Sequence, residues 1–188
     1  MVSPGSSALI VVDMQRAFID PDGLLAVAGA DEVVKAVNRR VAEAVEAGSP
    51  VFYTRDFGPV ELPDGDPDGQ TELHPDLDVR GTVVSKGPGR GGGFSGFVLL
   101  PSSPDRGQPG AGGLSDLAGL LAEAGVGEVT AVGLAADVCV AATARDARRL
   151  GYRARLDLGA SAFVHAHPGG DEAAVDELRT AGIEVIDA

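Results

Sequence analysis

The residue best suited to do chemistry in this chain is its only cysteine, Cys139. It lies at the start of a predicted helix, directly after the apolar run 128–134, and a helix N-terminus carries partial positive charge and unpaired N–H groups. Both favour the thiolate over the thiol, and the thiolate is the nucleophilic form of cysteine. The plainer interpretation is a small buried apolar side chain. The position of Cys139 alone leaves both interpretations open.

Two charged residues, Asp13 and Lys86, end other apolar, strand-like runs. If they meet Cys139, Asp13 could take the thiol proton and later give it to a leaving amine, while Lys86 holds both groups electrostatically. The backbone N–H groups of Ala135 and Cys139 could then form an oxyanion hole. The alternative is a buried Asp13–Lys86 ion pair that only joins two strands. Such pairs stabilise proteins weakly, which favours the functional interpretation.

The elements that must position these residues alternate between short β-branched runs and longer segments of helical period. We predict strands over residues 8–12, 50–54, 81–85, 128–134, 152–158 and 183–186, and helices over residues 31–47, 115–124, 139–150 and 171–181. This alternation predicts a single α/β domain over residues 1–188, a three-layer α/β/α architecture with a mostly parallel, six-stranded, Rossmann-like sheet. Ligands of such sheets bind beyond the carboxyl ends of the strands. Asp13, Asp56, Lys86 and Cys139 all belong to that edge.

Two Pro- and Gly-rich segments, 57–79 and 87–113, interrupt the pattern. Loops this long inside a compact domain are usually functional or disordered. The glycine run that opens the second segment lacks a Gly-Lys-Ser/Thr ending and a following helix, so it predicts a flexible active-site loop rather than a phosphate cradle. Arg90 in this run could meet an anionic substrate. His165 and His167 lack partners at metal-ligand spacing and are interpreted as surface loop histidines.

The composition limits the partners of the chain. Fifteen basic residues against 28 acidic ones give a formal net charge of −13, with no basic cluster. Nucleic acid and anionic membranes are therefore poor partners. One cysteine cannot form an internal disulfide, which suits a reducing compartment. The apolar run 8–12 is too short for a signal peptide or a membrane span, so we expect a cytoplasmic protein.

Six segments in order along the chain carry motifs of a known family. They are Ala-Leu-Ile-Val-Val-Asp-Met-Gln-Arg-Ala-Phe (8–18), Tyr-Thr-Arg-Asp (53–56), Glu-Leu-His-Pro-Asp-Leu (72–77), Ser-Lys-Gly (85–87), Phe-Ser-Gly-Phe (94–97) and Val-Gly-Leu-Ala-Ala-Asp-Val-Cys-Val-Ala-Ala-Thr-Ala-Arg-Asp-Ala (132–147). In these motifs the chain resembles the isochorismatase-like cysteine hydrolases and, within them, the nicotinamidases. The resemblance implies that Asp13, Lys86 and Cys139 are a catalytic triad.

The same resemblance implies the surroundings of the triad. A non-proline cis peptide would fall at Leu134–Ala135 and present the oxyanion-hole amides. Phe18 and Phe94 resemble the aromatic walls that enclose a planar ring in relatives, and Asp56 and Leu134 complete the expected substrate-binding residues. Relatives are commonly homo-oligomers, which we expect here as well.

One motif departs from the nicotinamidase pattern. Those relatives carry a divalent metal on an Asp-x-His-Pro motif and a later histidine motif, whereas residues 56–59 read Asp-Phe-Gly-Pro here, so that Gly58 replaces a ligand. The loop 60–71 contains no histidine, and His74 matches a family histidine that is not a ligand. Because zinc usually needs at least three protein ligands, we predict no metal and no other cofactor at this site.

The prediction that follows is a hydrolase of small-molecule amide C–N bonds, acting through a thioester and similar to nicotinamidase but without its metal. The alternatives are an N-carbamoyl or ureido amidohydrolase, an isochorismate vinyl-ether hydrolase, and a non-catalytic binding protein on the same fold. A nucleotide-binding Rossmann domain is excluded, because Asp13-Met14-Gln15 stands where a glycine-rich turn would follow the first strand.

Overall fold

The computed structural model describes residues 6–63, 65–100 and 113–187, in which strands and helices alternate. The strands are β1 (Ser6–Val12), β2 (Val51–Asp56), β3 (Thr82–Lys86), β4 (Val98–Leu99), β5 (Gly113–Leu114), β6 (Val126–Leu134), β7 (Arg153–Ala162) and β8 (Glu184–Ile186). The helices are α1 (Arg16–Ile19), α2 (Ala30–Glu46), α3 (Leu117–Glu123), α4 (Ala141–Arg149) and α5 (Gly170–Thr180), with a 3₁₀ turn at Gly89–Gly91 and a π-helical turn at Ala136–Val140.

Six strands form one sheet in the order β3-β2-β1-β6-β7-β8, and every neighbouring pair is parallel. The predicted α/β fold class is therefore confirmed. The chain builds the sheet outward from β1 in one direction and from β6 in the other, so the strand order reverses between these two strands. Sheets of this kind open a ligand crevice at that point, beyond the carboxyl ends of the strands. β1 ends directly before Asp13, and β6 ends directly before Ala135.

Strand β1 shows how the sheet is covered on both faces. Ala8, Ile10 and Val12 pack into an apolar cluster that includes residues of α3, α4 and α5. Leu9 and Val11 point to the opposite face and pack into a cluster that includes residues of α2. Burial on both faces requires apolar side chains at every position, which explains the continuous apolar run in the sequence.

Several boundaries differ from the prediction. β2 and β3 extend by enough to include Asp56 and Lys86 as their last residues, and these two residues are register partners. The short helix α1 has too few residues for a periodic signal. Of the two long segments, the described residues of 57–79 form no helix or strand and take part in an isolated bridge between Gln15 and Leu73. The segment 87–113 contributes the 3₁₀ turn, β4 and the start of β5, with residues 101–112 outside the described ones. None of the described helices has the length and apolar character to cross a bilayer.

Candidate active site

The carboxyl edge of the sheet brings Asp13, Lys86 and Cys139 together. Asp13 directly follows β1, Lys86 is the last residue of β3, and Cys139 lies in the π-helical turn that follows β6. Asp13 and Lys86 are completely buried, and Cys139 is 9% exposed. Because the strands are parallel, these residues at or after their carboxyl ends share one edge of the sheet, and the packing of the sheet brings them into contact.

The Lys86 ammonium is the centre of this cluster. Its Nζ lies 2.7 Å from Asp13 Oδ2 and donates a hydrogen bond to Cys139 Sγ at 3.4 Å. It also donates to the backbone carbonyl of Phe94 at 2.6 Å, and Asp56 Oδ2 lies 3.7 Å away. One cation therefore contacts the proposed base and the proposed nucleophile at the same time.

Thr54 in β2 orients the Asp13 carboxylate, a role that the sequence did not suggest. Its hydroxyl donates to Asp13 Oδ1 at 2.7 Å and accepts the Asp13 backbone N–H at 3.2 Å. Thr54 engages Oδ1, whereas Asp13 Oδ2 lies 2.7 Å from Lys86 Nζ on the side of the cluster, so Oδ2 is the oxygen left to take a proton. The available signal in the sequence was a hydroxyl side chain directly after the run Val51–Tyr53, in the strand that ends at Asp56.

Burial and neighbouring charges both shift the pKa values of Cys139 and Lys86. Burial raises the pKa of the Cys139 thiol, and the Asp13 carboxylate raises it further, against the opposite effect of Lys86. Burial by itself lowers the pKa of Lys86, but the charges of Asp13 and Asp56, and of Cys139 once it is ionised, outweigh burial and leave that pKa above the ordinary lysine value. At neutral pH the cluster therefore holds an ammonium beside a protonated thiol.

The helix N-terminus, which favours the thiolate, acts against the effect of burial here. A helix end stabilises a charge by about 0.3–1 kcal/mol. Full burial can shift a pKa by roughly 3–5 units, equivalent to several kcal/mol. Cys139 is buried beside a carboxylate, and so desolvation is the larger effect.

The π-helical turn is fixed from two sides. The peptide bond between Leu134 and Ala135 is cis, as the family resemblance implied. The Thr143 hydroxyl in α4 donates to the Cys139 carbonyl at 2.7 Å and accepts the Gly96 N–H at 2.9 Å, which joins the turn to the segment that follows Phe94.

Asp137 holds a second segment against the same turn. Its two carboxylate oxygens accept the backbone N–H groups of Val164 and Ala166, at 2.9 and 2.6 Å respectively. These bonds fix the loop after β7 at the mouth of the site. Asp137 was not recognised as a site residue from the sequence.

A pocket of about 240 Å³ has Cys139 in its wall. It is smaller than the roughly 300–1,000 Å³ that is common for drug-sized ligands, so it suits a compact molecule. The structure places in its wall all the residues that the sequence analysis assigned to substrate binding, together with the oxyanion-hole residues and Arg90: Phe18, Asp56, Arg90, Phe94, Leu134, Ala135 and Cys139. Sequence reasoning missed the remaining wall residues, which carry no polar side chain: Leu25, Val27, Pro59, Gly89, Val138 and Val164.

The donors around Asp56 do not fit a divalent metal. Asp56 Oδ1 accepts the Gly58 N–H at 2.9 Å, and Oδ2 accepts the Gly89 N–H at 2.8 Å. The nearby Lys86 ammonium would repel a second cation. Gly58 offers no side chain, and no three His, Cys, Asp or Glu residues converge on one point within the described ranges. Asp56 is instead a carboxylate that fixes two backbone segments, and burial raises its pKa while Lys86 opposes that effect.

The histidines lie outside this cluster. His74 Nε2 is 3.3 Å from an Asp20 carboxylate oxygen. His165 and His167 pair with carboxylates of α5, at 2.9 and 3.1 Å, and the His165 side chain is 76% exposed. None of the three lines the pocket.

Comparison with known proteins gives the family. A model described as the Isochorismatase domain matches residues 7–188. The chain is 34% identical to the nicotinamidase/pyrazinamidase of Mycobacterium tuberculosis over 95% of this chain and 97% of that protein, and 29% identical to the nicotinamidase of Acinetobacter baylyi over 99% and 94%. The structure of the pyrazinamidase of Pyrococcus horikoshii in complex with zinc matches with a TM-score of 0.74 at 28% identity, over 97% of this chain and 99% of that one. The predicted family and enzyme class are thereby confirmed: the chain belongs to the isochorismatase domain family, and it is an amidohydrolase of that family.

Proposed function

We propose that this enzyme hydrolyses the C–N bond of a small carboxamide through a thioester on Cys139, without a metal. The observation that carries the proposal is the Lys86 ammonium in contact with both Asp13 and Cys139, of which Cys139 lines the pocket. The aromatic side chains of Phe18 and Phe94 in the pocket wall suit a planar amide such as nicotinamide or pyrazinamide. The names of the relatives point to the same substrates.

The first half-reaction forms the thioester. The Cys139 sulfur attacks the amide carbon while its proton passes to Asp13, because a thiol with a raised pKa must lose its proton as the C–S bond forms. The carbonyl electrons move to the oxygen, which accepts hydrogen bonds from the backbone N–H groups of Ala135 and Cys139. The tetrahedral intermediate then collapses, the C–N bond breaks, and Asp13 returns the proton to the departing ammonia.

The second half-reaction uses the same groups. A water molecule attacks the thioester carbon while Asp13 takes its proton, and the same two N–H groups stabilise the oxyanion. The C–S bond breaks, and the sulfur regains a proton from Asp13. Lys86 remains an ammonium throughout, since its pKa lies above the ordinary value, and it stabilises whichever of the two neighbours carries the negative charge.

The polar contacts of Asp56 support metal independence. Both of its oxygens accept backbone N–H groups, from Gly58 and Gly89, so its role here is to hold the loop after β3 beside the pocket. The zinc of the Pyrococcus protein belongs to that protein, and no step of the present mechanism uses a metal.

The direct test measures ammonia release from nicotinamide, pyrazinamide and N-carbamoyl compounds. We expect the wild type to release ammonia from at least one of them and Cys139→Ala to be slower by at least about 1,000-fold. Acid quenching during turnover should trap the acyl group on Cys139, visible by mass spectrometry. Release of ammonia at the wild-type rate by the alanine variant would refute the mechanism, and the absence of release from every amide would refute the function.

A matched pair of aspartate variants separates chemistry from folding. Asp13 and Asp157 are both buried and both ion-paired, Asp157 with Arg40 at 2.7 Å, but only Asp13 contacts Lys86. Asp13→Asn should abolish turnover, whereas Asp157→Asn should alter stability and retain turnover. Treatment with a chelator should leave the wild-type rate unchanged, and a loss that zinc restores would refute metal independence.

A further inference from the structure

Arg90 is the only basic side chain among the described residues that line the pocket. We propose that its guanidinium binds a carboxylate of the substrate, so that the preferred substrates are small amides that carry a carboxylate away from the scissile amide. The proposal rests on the proposed amide hydrolysis at Cys139, and it deepens that proposal by naming the substrate class.

The position of Arg90 is set by its neighbours on both sides. It lies in the 3₁₀ turn after β3, and the preceding Gly89 N–H donates to Asp56 Oδ2 at 2.8 Å, which anchors the turn to the end of β2. The guanidinium lies beside Gly58: a Cβ built there would stand 3.6 Å from Arg90 Nε and 3.9 Å from Nη2. The same Cβ would stand 3.1 Å from Pro88 Cβ, so a side chain at this position would crowd the segment that carries the arginine.

The guanidinium is available to a ligand. Arg90 forms no ion pair with any carboxylate of the described residues, although Asp56 lines the same pocket. Asp56 is already engaged by the backbone N–H groups of Gly58 and Gly89. A guanidinium binds a carboxylate through two parallel N–H···O bonds, a geometry that ammonium groups and neutral donors do not reproduce. In a chain of net charge −13, an anionic substrate needs such a local partner.

The remainder of the pocket limits the body of the substrate. Apart from Arg90, Asp56 and Cys139, the wall residues carry no polar side chain, and Phe18, Phe94 and Leu134 are among them. Apolar and aromatic walls favour a planar ring. Benzamide, 3-carbamoylbenzoate and 4-carbamoylbenzoate are therefore suitable probes, since they share the ring and the amide and differ in the carboxylate.

The test is the ratio of kcat/KM for each carbamoylbenzoate to that for benzamide. We expect the wild type to favour at least one carbamoylbenzoate by about 10-fold or more, because charge-assisted hydrogen bonds are the stronger class. In Arg90→Gln this ratio should fall to about 1, mainly through KM, and Arg90→Lys should restore only part of it. Arg39→Gln is the matched control, since it removes the charge of an exposed arginine on α2 and should retain the wild-type ratio.

A binding measurement separates this proposal from the proposed reaction. Calorimetric titration of Cys139→Ala with 3- and 4-carbamoylbenzoate should show binding of at least one, and the Cys139→Ala/Arg90→Gln variant should bind it at least about 10-fold more weakly. Ammonia release that depends on Cys139 but shows equal kcat/KM with and without the carboxylate would overturn the Arg90 proposal and leave the reaction standing. Binding that depends on Arg90 without ammonia release from any amide would support the anion site and overturn the reaction.

Discussion

Replacing Lys86 by methionine removes the cation that faces two buried carboxylates and retains much of the side-chain volume. Lys86 Nζ lies 2.7 Å from Asp13 Oδ2 and 3.7 Å from Asp56 Oδ2, and each of these residues is at most 2% exposed. Removing one partner of a buried ion pair typically costs about 3–5 kcal/mol, because the other charge stays buried without compensation. We expect the free energy of unfolding to fall by about that amount near pH 8, and turnover to be lost.

The loss of stability in Lys86→Met depends on pH, and the direction of that dependence follows from the pKa of Asp56. Burial raises the pKa of Asp56 and Lys86 lowers it, so removing Lys86 raises that pKa further. A carboxyl group whose pKa is higher in the folded than in the unfolded state destabilises the fold at high pH. This penalty disappears as the pH falls through the folded pKa towards the unfolded value, because the folded state takes up the proton. The deficit of Lys86→Met should therefore shrink between about pH 8 and about pH 5.

Urea unfolding at the two pH values measures this deficit. Lys35→Met is the matched control, since Lys35 is the only other lysine, and its exposed side chain pairs with Glu32 on the surface. It should change stability little at either pH. The double variant Asp13→Asn/Lys86→Met removes one of the two uncompensated charges and should be more stable than Lys86→Met near pH 8. A Lys86→Met deficit that is absent at both pH values, or that grows as the pH falls, would refute the reasoning.

Three further predictions test individual contacts. Thr54→Val removes the hydroxyl that donates to Asp13 at 2.7 Å. Because a hydrogen bond to a charged group contributes about 1.5–3 kcal/mol, ammonia release should slow by about 10-fold or more. Unchanged turnover would contradict the positioning role of Thr54. Gly87 and Gly92 both have positive φ, at 99° and 96°, but only at Gly87 would a Cβ collide with the Asp56 carboxylate at the end of β2. Gly87→Ala should therefore lose more stability in urea unfolding, and more activity in kinetic assays, than Gly92→Ala. Equal losses would contradict the close approach of Gly87 to Asp56. Iodoacetamide, with labelling measured by mass spectrometry, should label Cys139 slowly at neutral pH and faster as the pH rises. Asp13→Asn should be labelled faster than the wild type, because the substitution removes a charge that raises the thiol pKa. Rapid labelling of the wild type at neutral pH would contradict a protonated resting thiol.

The common edge of Asp13, Lys86 and Cys139 was predictable without coordinates. Each follows or ends a strand-like run of the sequence, and the continuous apolar run of β1 is the pattern of a parallel strand buried on both faces. Parallel strands place their carboxyl ends at one edge, so these residues share that edge, and the family resemblance implied that they form a triad. The helix boundaries followed from glycines and apolar periodicity in the same way, whereas the four residues of α1 were too few to give a period.

The chemistry inside that cluster depends on groups that the chain order does not connect. Thr54 orients Asp13 from a neighbouring strand, and the Phe94 carbonyl accepts from Lys86 across a loop, contacts that arise only when the strands and loops are packed. The protonation of Cys139 is a further case, because local sequence places it at a helix end that favours the thiolate, while burial beside a carboxylate favours the thiol more strongly. Periodicity specifies which side of an element a residue occupies. Burial and the distance between residues far apart in the chain are properties of the packed molecule, and these two properties decide the protonation state of a side chain such as Cys139.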